Sequence, residues 1–144
     1  MKEKALNLLG LMRKANAAQI GETDTGAAAR AQLAKLVVLA SDASENAKSR
    51  ARGFVYGKNI PLVTLPFTKE EISEHVGKNG CSMAAICDLG FADALMKILV
   101  GISPDEYGVT AELISEKLTQ EKQRKRESKA HEKNKRTGKR RNNA

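Results

Sequence analysis

The sequence predicts an α/β fold: a three-layer α/β/α sandwich around a small mixed central sheet, followed by a basic C-terminal tail that is helical or disordered. Three observations carry this expectation. Short unbroken apolar runs, KLVVLA at 35–40 above all, alternate with stretches whose apolar residues recur at helical spacing. The apolar fraction of 41% is enough for a core, but it is built from Ala, Leu, Val and Ile, with three Phe, two Tyr and no Trp. That mixture suits helices laid on a sheet better than an aromatic-rich β-sandwich. A chain of 144 residues makes one domain with an appendage.

The elements follow in order. Ala5, Leu8, Leu9, Met12 and Ala15 are spaced as one face of a helix over 1–16, with Lys2, Lys4, Asn7, Arg13 and Lys14 mostly opposite. Gly10 weakens this helix and would let a neighbour approach closely. Ala17 to Ile20 is a short strand ended by Gly21, and the Ala-rich run from Thr25 to Ala34 is a second helix. Leu36 to Ala40 is a strand covered on both faces. Ser41, Asp42 and Ser44 cap a third helix to Tyr56; Asn59 and Pro61 then precede a strand at 62–65. Thr68 and Glu71 are spaced as a capping box for a short helix through His75. A flexible loop, GKNGCS at 77–82, leads to a buried strand at 84–87 and a helix at 91–100. Pro104 marks a break over 102–108, after which Thr110 to about Glu127 reads as helix. The apolar residues Leu113, Ile114 and Leu118 of this last segment have no successors. The expected organisation is therefore a domain at 1–101, a connecting segment and C-terminal helix at 102–118, and a basic tail at 119–144, mobile or helical only when bound.

Charge is distributed unevenly. Residues 117–144 hold 12 Lys and Arg against 3 Glu, a balance of +9, while 1–116 are close to neutral at −1. Within that body, residues 1–60 carry +5 and residues 61–116 carry −6. A near-neutral body with a basic half and a strongly basic tail is the electrostatic outline of a polyanion binder.

Several function classes are disfavoured. Two cysteines, Cys81 and Cys87, with His75 and His131 far apart, give neither a disulfide scaffold nor a metal-ligand set, so no metal and no cofactor is expected. No phosphate-cradling Gly-rich loop follows a strand. The turn at Gly21 precedes a helix N-terminus, but Glu22 and Asp24 would repel a free phosphate. Glu70, Glu71 and Glu74 read as a solvated helix face, and no catalytic constellation is visible, so the chain is expected to be no enzyme and to take no small-molecule substrate. No apolar run approaches the roughly 20 residues of a membrane span, and the N-terminal stretch makes a poor signal peptide, so a cytoplasmic protein with no membrane partner is the expectation.

The order of elements meets specific sequence words at LLGLMRKA, at IG before the second helix, at AKLVVLASDASEN, and at IPLV, TKEE and AAICDLGFADAL. On these words, over about residues 5–100, the chain resembles the kink-turn-binding ribosomal protein superfamily of the L-seven-Ae and L-thirty-e type. It is most similar there to the small bacterial YlxQ-like group. The resemblance implies RNA contact at the opening of the second helix. There the family places a Gly, Thr, Asn, Glu run and, three places later, a Lys. These fall on Gly21, Glu22, Thr23, Asp24 and Ala27. Three departures from the pattern matter: Thr23 lacks an amide's paired donor and acceptor, Asp24 is shorter than Glu, and Ala27 has no cation. The second implied contact is the loop with Lys78, Asn79, Gly80, Cys81 and Ser82, one residue shorter than in the family and without its apolar face.

Two readings follow. The first is an RNA-binding, non-catalytic protein of the translation machinery, monomeric, with ribosomal RNA or the ribosome as partner. It would dock through the Gly21–Ala27 edge, with backbone contacts from Arg30, Lys35, the Lys48, Arg50 and Arg52 cluster, and the tail residues Lys122, Arg124, Lys125, Arg126, Lys135, Arg136, Lys139, Arg140 and Arg141. No aromatic is read as interleaved with these cations, so stacking on single-stranded bases is not expected. The second is a protein-interaction or regulatory module that kept the fold and lost kink-turn recognition.

Overall fold

The computed structural model describes residues 1–79 and 81–142, with side chains as far as Lys129. Helices and strands alternate: α1 (Lys2–Lys14), β1 (Ala18–Ile20), α2 (Glu22–Arg30), β2 (Leu36–Leu39), α3 (Glu45–Val55), β3 (Leu62–Thr64), α4 (Lys69–Val76), β4 (Met83–Ile86), α5 (Leu89–Ile102) and α6 (Pro104–Asn142). The strands form one sheet in the order β1-β4-β2-β3, and it is mixed. β4 runs antiparallel to both neighbours, pairing Ala18 with Ile86 and Val37 with Ala85, while β2 and β3 are parallel, pairing Val38 with Val63.

The two central strands, LVVL and MAAI, are buried at every position. Their side chains alternate between two cores, as the pleat requires. Leu36, Val38, Ala84 and Ile86 join Leu9, Met12, Ile72, Leu95 and Leu99 on one face, under α1, α4 and α5. Val37, Leu39, Met83 and Ala85 meet the smaller Ala28, Ala47 and Ala51 on the other, under α2 and α3. The alanines bring these helices close. At Gly26 an added Cβ would stand 2.9 Å from the Phe54 ring, so α2 and α3 pack at a spacing only glycine allows. Gly10 does the same between α1 and α4, where a Cβ would fall 2.6 Å from the His75 carbonyl oxygen.

Local signals act where they were expected. Ser44 accepts a hydrogen bond from the Ala47 amide at 3.1 Å; Asp88, which the sequence reading did not single out, caps α5 by accepting from the Phe91 amide at 3.0 Å. Thr68 and Glu71 form the reciprocal capping box of α4, which ends at Gly77 with φ +70°. The Lys2 ammonium, with the Thr68 amide, holds the Glu71 carboxyl below its ordinary range. Glu71 is therefore bonded on both sides and is not merely part of a solvated face.

Several boundaries differ from expectation: α2 ends at Arg30 and not Ala34, α5 spans Leu89–Ile102 and not 91–100, and two helix starts differ with a clear physical reason. α2 opens at Glu22, so the polar Glu-Thr-Asp run is its first helical turn, not a turn before it. α6 opens at Pro104, and the expected break shrinks to Ser103. Proline suits the first helical position, whose amide has no intrahelical partner, and Asp105 and Glu106 follow it favourably at the positive end of the dipole. The start of α6 is thus part of the core: Tyr107 and Ile114 are 1% and 0% exposed, and the Tyr107 hydroxyl donates to the Thr64 carbonyl at 2.6 Å. The apolar face ends at the half-buried Leu118, yet the backbone of 119–142 continues the same helix.

Candidate nucleic-acid interface

The glycine that opens the polar run has a backbone reason to be there. Gly21 takes φ +99° and ψ 164°, a region only glycine occupies without strain. From that conformation its amide donates to Met83 at the start of β4 (3.0 Å), and its carbonyl accepts from the Thr25 amide (2.9 Å). The chain therefore leaves the sheet and enters α2 with no intervening loop. Thr25 is fully buried, its hydroxyl oxygen without a hydrogen-bond partner, whereas Thr23, Asp24, Ala27 and Arg30 are exposed. Spacings of three and four place Thr23, Ala27 and Arg30 on one helix face.

The second expected contact segment lies beside the first. Lys78 donates from its ammonium to the Ile20 carbonyl at 2.8 Å and stands 3.4 Å from an Asp24 oxygen. Glu22 forms an ion pair with Arg50 of α3. Each acidic residue of the edge thus faces a cation, so the repulsion that Glu22 and Asp24 were expected to exert is largely compensated.

Not every expected contact residue reaches this edge. Cys81 is buried, its thiol 2.8 Å from the Lys78 carbonyl, so it closes the loop from inside and presents nothing at the surface. Asn79 is exposed, Ser82 is half-buried with its carbonyl taken by the Ala40 amide, and Gly80 lies outside the described residues. Lys35 sits at the other end of the sheet: its amide bonds to Ile86 at the end of β4, whereas Gly21 meets Met83 at the beginning. Arg30 is in the last turn of α2, with a guanidinium nitrogen 3.3 Å from where a Cβ on Gly26 would stand, so its side chain turns back along the helix. The α3 cluster divides: Arg50 is paired with Glu22, Lys48 with Glu45 at 3.4 Å, and Arg52 is exposed. On α6, Lys122, Arg124, Lys125 and Arg126 are exposed, with Lys125 3.2 Å from Glu121. The side chains of Lys135, Arg136, Lys139, Arg140 and Arg141 lie outside the described residues. Sequence reading missed the dual role of Lys78, whose ammonium ties the two segments together; nothing in its local sequence signals a partner 58 residues away.

Among the described residues, no three His, Cys, Asp or Glu side chains are grouped as a metal site requires, and no helix is long and apolar enough to cross a membrane.

Comparison with known proteins bears on the family and the fold. A relative from Enterococcus faecium described as "RNA-binding protein YlxQ" is 35% identical over 100 residues, covering 69% of this chain and 95% of the relative. A solved structure, of a protein with unknown function from Bacillus halodurans, superposes with a TM-score of 0.58 at 27% identity, covering 64% of this chain and 92% of that one. Residues 3–96 match the model of the ribosomal protein L7Ae/L30e/S12e/Gadd45 family, and the chain belongs to that family.

Proposed function

We propose that this protein is a non-catalytic RNA-binding protein that docks structured RNA, of the kink-turn kind, through the opening of α2 and the neighbouring Lys78, and that it serves the translation machinery as a monomer. The observation that carries the reading is the junction itself. A glycine-only backbone leads without a loop into an exposed helix face, and the segment before β4 is tied to it through Lys78. Helix N-termini with their free amides, flanked by cations, suit phosphate and base-edge contacts. The name of the Enterococcus relative supports RNA as the partner. The decisive experiment is a titration of the full chain and of a 1–119 truncation against kink-turn and plain duplex RNA across a salt series. Affinity independent of RNA structure in the truncated chain would refute the structured-RNA reading.

One observation favours a second reading, an interaction module without kink-turn recognition: Ala27 carries no cation, and Asp24 is engaged by Lys78. The two readings separate in a triple variant that restores the residues the family resemblance implies. Thr23→Asn, Asp24→Glu and Ala27→Lys together should tighten binding to a kink-turn by about tenfold, the order expected of one added phosphate contact and one amide pairing. Plain duplex should gain much less. An equal gain on both RNAs would mean that only charge had been added.

The glycine offers a further test. Gly21→Val is expected to cost about 1–3 kcal/mol of stability because φ +99° is closed to a β-branched residue. Its Cβ would stand 3.5 Å from the Lys78 ammonium, in ordinary van der Waals contact with the group that joins the two segments, so the expected cost is in the backbone. The fold should survive while the RNA affinity of the truncated chain falls; unchanged affinity would move the contact surface elsewhere.

A further inference from the structure

At the end of the sheet remote from Gly21 lies a cleft of about 500 Å³, walled by the α2–β2 connection, the α3–β3 connection and α6 from its fourth turn onward. Four cations line it from these three places: Lys35, Lys58, Lys117 and Arg124. The single carboxylate among the lining residues, Glu121, already faces Lys125 at 3.2 Å. Lys117 is fixed there by its hydrogen bond to the Asn59 carbonyl at 2.7 Å. Tyr56, one residue before the lining Gly57, is 86% exposed, an unusual state for an aromatic side chain in a chain with only five aromatics.

We infer that this cleft is a second RNA site, in which Lys35, Lys58, Lys117 and Arg124 hold consecutive phosphates of a single-stranded segment and Tyr56 stacks on a base. The inference rests on the proposed RNA-binding function but uses none of the residues of the α2 edge. Its volume is that of a site for a nucleotide-sized group. Cations converging without acidic partners create a field that an anion relieves. Burial, and after it the nearby charge of Lys35, push the Lys117 pKa down. A polyanion is favoured over a small anion because the cations are spread out: Lys117 and Arg124, seven residues apart on one face of α6, are separated by about 10 Å along the helix, more than a single phosphate spans. A single strand is favoured over a duplex because an exposed tyrosine beside a basic groove is the arrangement that receives unpaired bases. Tyr56 lies two residues from Lys58, a cation outside the set first considered for RNA contact.

The test uses the full chain and a labelled single-stranded RNA, with a kink-turn RNA in parallel. Lys35→Gln with Lys58→Gln should weaken single-strand binding about tenfold at moderate salt and lower the salt slope by about 1.4, the value for two single-strand phosphate contacts. A control pair of equal charge, Lys4→Gln with Lys14→Gln on the exposed side of α1, should do far less. Tyr56→Ala should weaken binding about tenfold and Tyr56→Phe should restore it, since the ring and not the hydroxyl stacks. Equal losses in the cleft and control pairs, with kink-turn binding retained, would overturn this inference alone. A chain that binds neither RNA would overturn it together with the proposed function. Saturation of the cleft by a nucleoside monophosphate, with single-strand affinity unaffected by the cleft pair, would assign the site to a small phosphate ligand and overturn the RNA assignment.

Discussion

Replacing Tyr107 with alanine is expected to lower stability by about 3–5 kcal/mol, the range for deleting a fully buried aromatic. In a domain of this size that is a fall in Tm on the order of 10 °C. The reason is position. Tyr107 lies in the first turn of α6, is 1% exposed, and is the largest of the fully buried side chains. Its ring packs with Leu95, Met96 and Leu99 in the core under α5, while its hydroxyl crosses to the β3 backbone at Thr64. Removing it opens a cavity and also strands a carbonyl. Tyr107→Phe separates the two effects: packing stays, and the lost hydrogen bond should cost about 1–2 kcal/mol.

The same pair of variants has a signature in pH. Burial, and after it the Glu106 carboxylate, push the Tyr107 phenol up to about 12. Above pH 10 the unfolded chain releases this proton while the folded chain keeps it, so the unfolded state binds fewer protons and stability falls as pH rises. The contribution is whole below pH 10 and lost through pH 12. Comparing the wild type with Tyr107→Phe across that window cancels the lysines common to both. The wild type should lose stability more steeply, and parallel curves would show that the phenol is not shielded.

The helix order was legible because its signals are local. Ser44 and the Thr68–Glu71 box each cap the helix that their spacing announces, and LVVL and MAAI carry the unbroken burial of central strands. Pro104 misled because proline has two opposite meanings, breaker inside a helix and favoured opener at its first position, and only the burial of Tyr107 distinguishes them here. Of the candidate edge, Gly21 and the exposed Thr23, Asp24 and Ala27 could be placed from sequence words. What could not be read were the pairings across the chain, Glu22 with Arg50 and Asp24 with Lys78, and the meeting of the like-charged Lys35 and Lys117 in one cleft at the far end. These depend on strand order. Lys35 lies only five residues from Arg30 in sequence, yet β2 begins at the end of the sheet remote from Gly21, so proximity along the chain gave the wrong neighbourhood.

Truncation after Thr119 should remove most of the non-specific RNA affinity and leave the fold intact. The deleted 25 residues carry 11 of the 25 Lys and Arg of the chain and 3 of its 17 carboxylates, against a remaining body that is close to neutral. Affinity from phosphate contacts varies with salt, each contact contributing about 0.9 to the logarithmic slope on a duplex. If the tail neutralises about six phosphates, full-length binding should weaken about 10³-fold between 50 and 200 mM salt, and the truncated chain only a few-fold. Stability should hardly respond. The last fully buried apolar residue is Ile114, Leu118 is retained, and the deleted side chains as far as Lys129 are exposed except for the half-buried Glu121. The Lys117 bond to Asn59 is also kept. A change in Tm of more than about 3 °C would mean that the distal helix packs on the body. Undiminished duplex affinity with an unchanged salt slope would place the phosphate contacts on the α2 edge and the basic cleft instead, and would leave the continued helix a role other than gathering RNA.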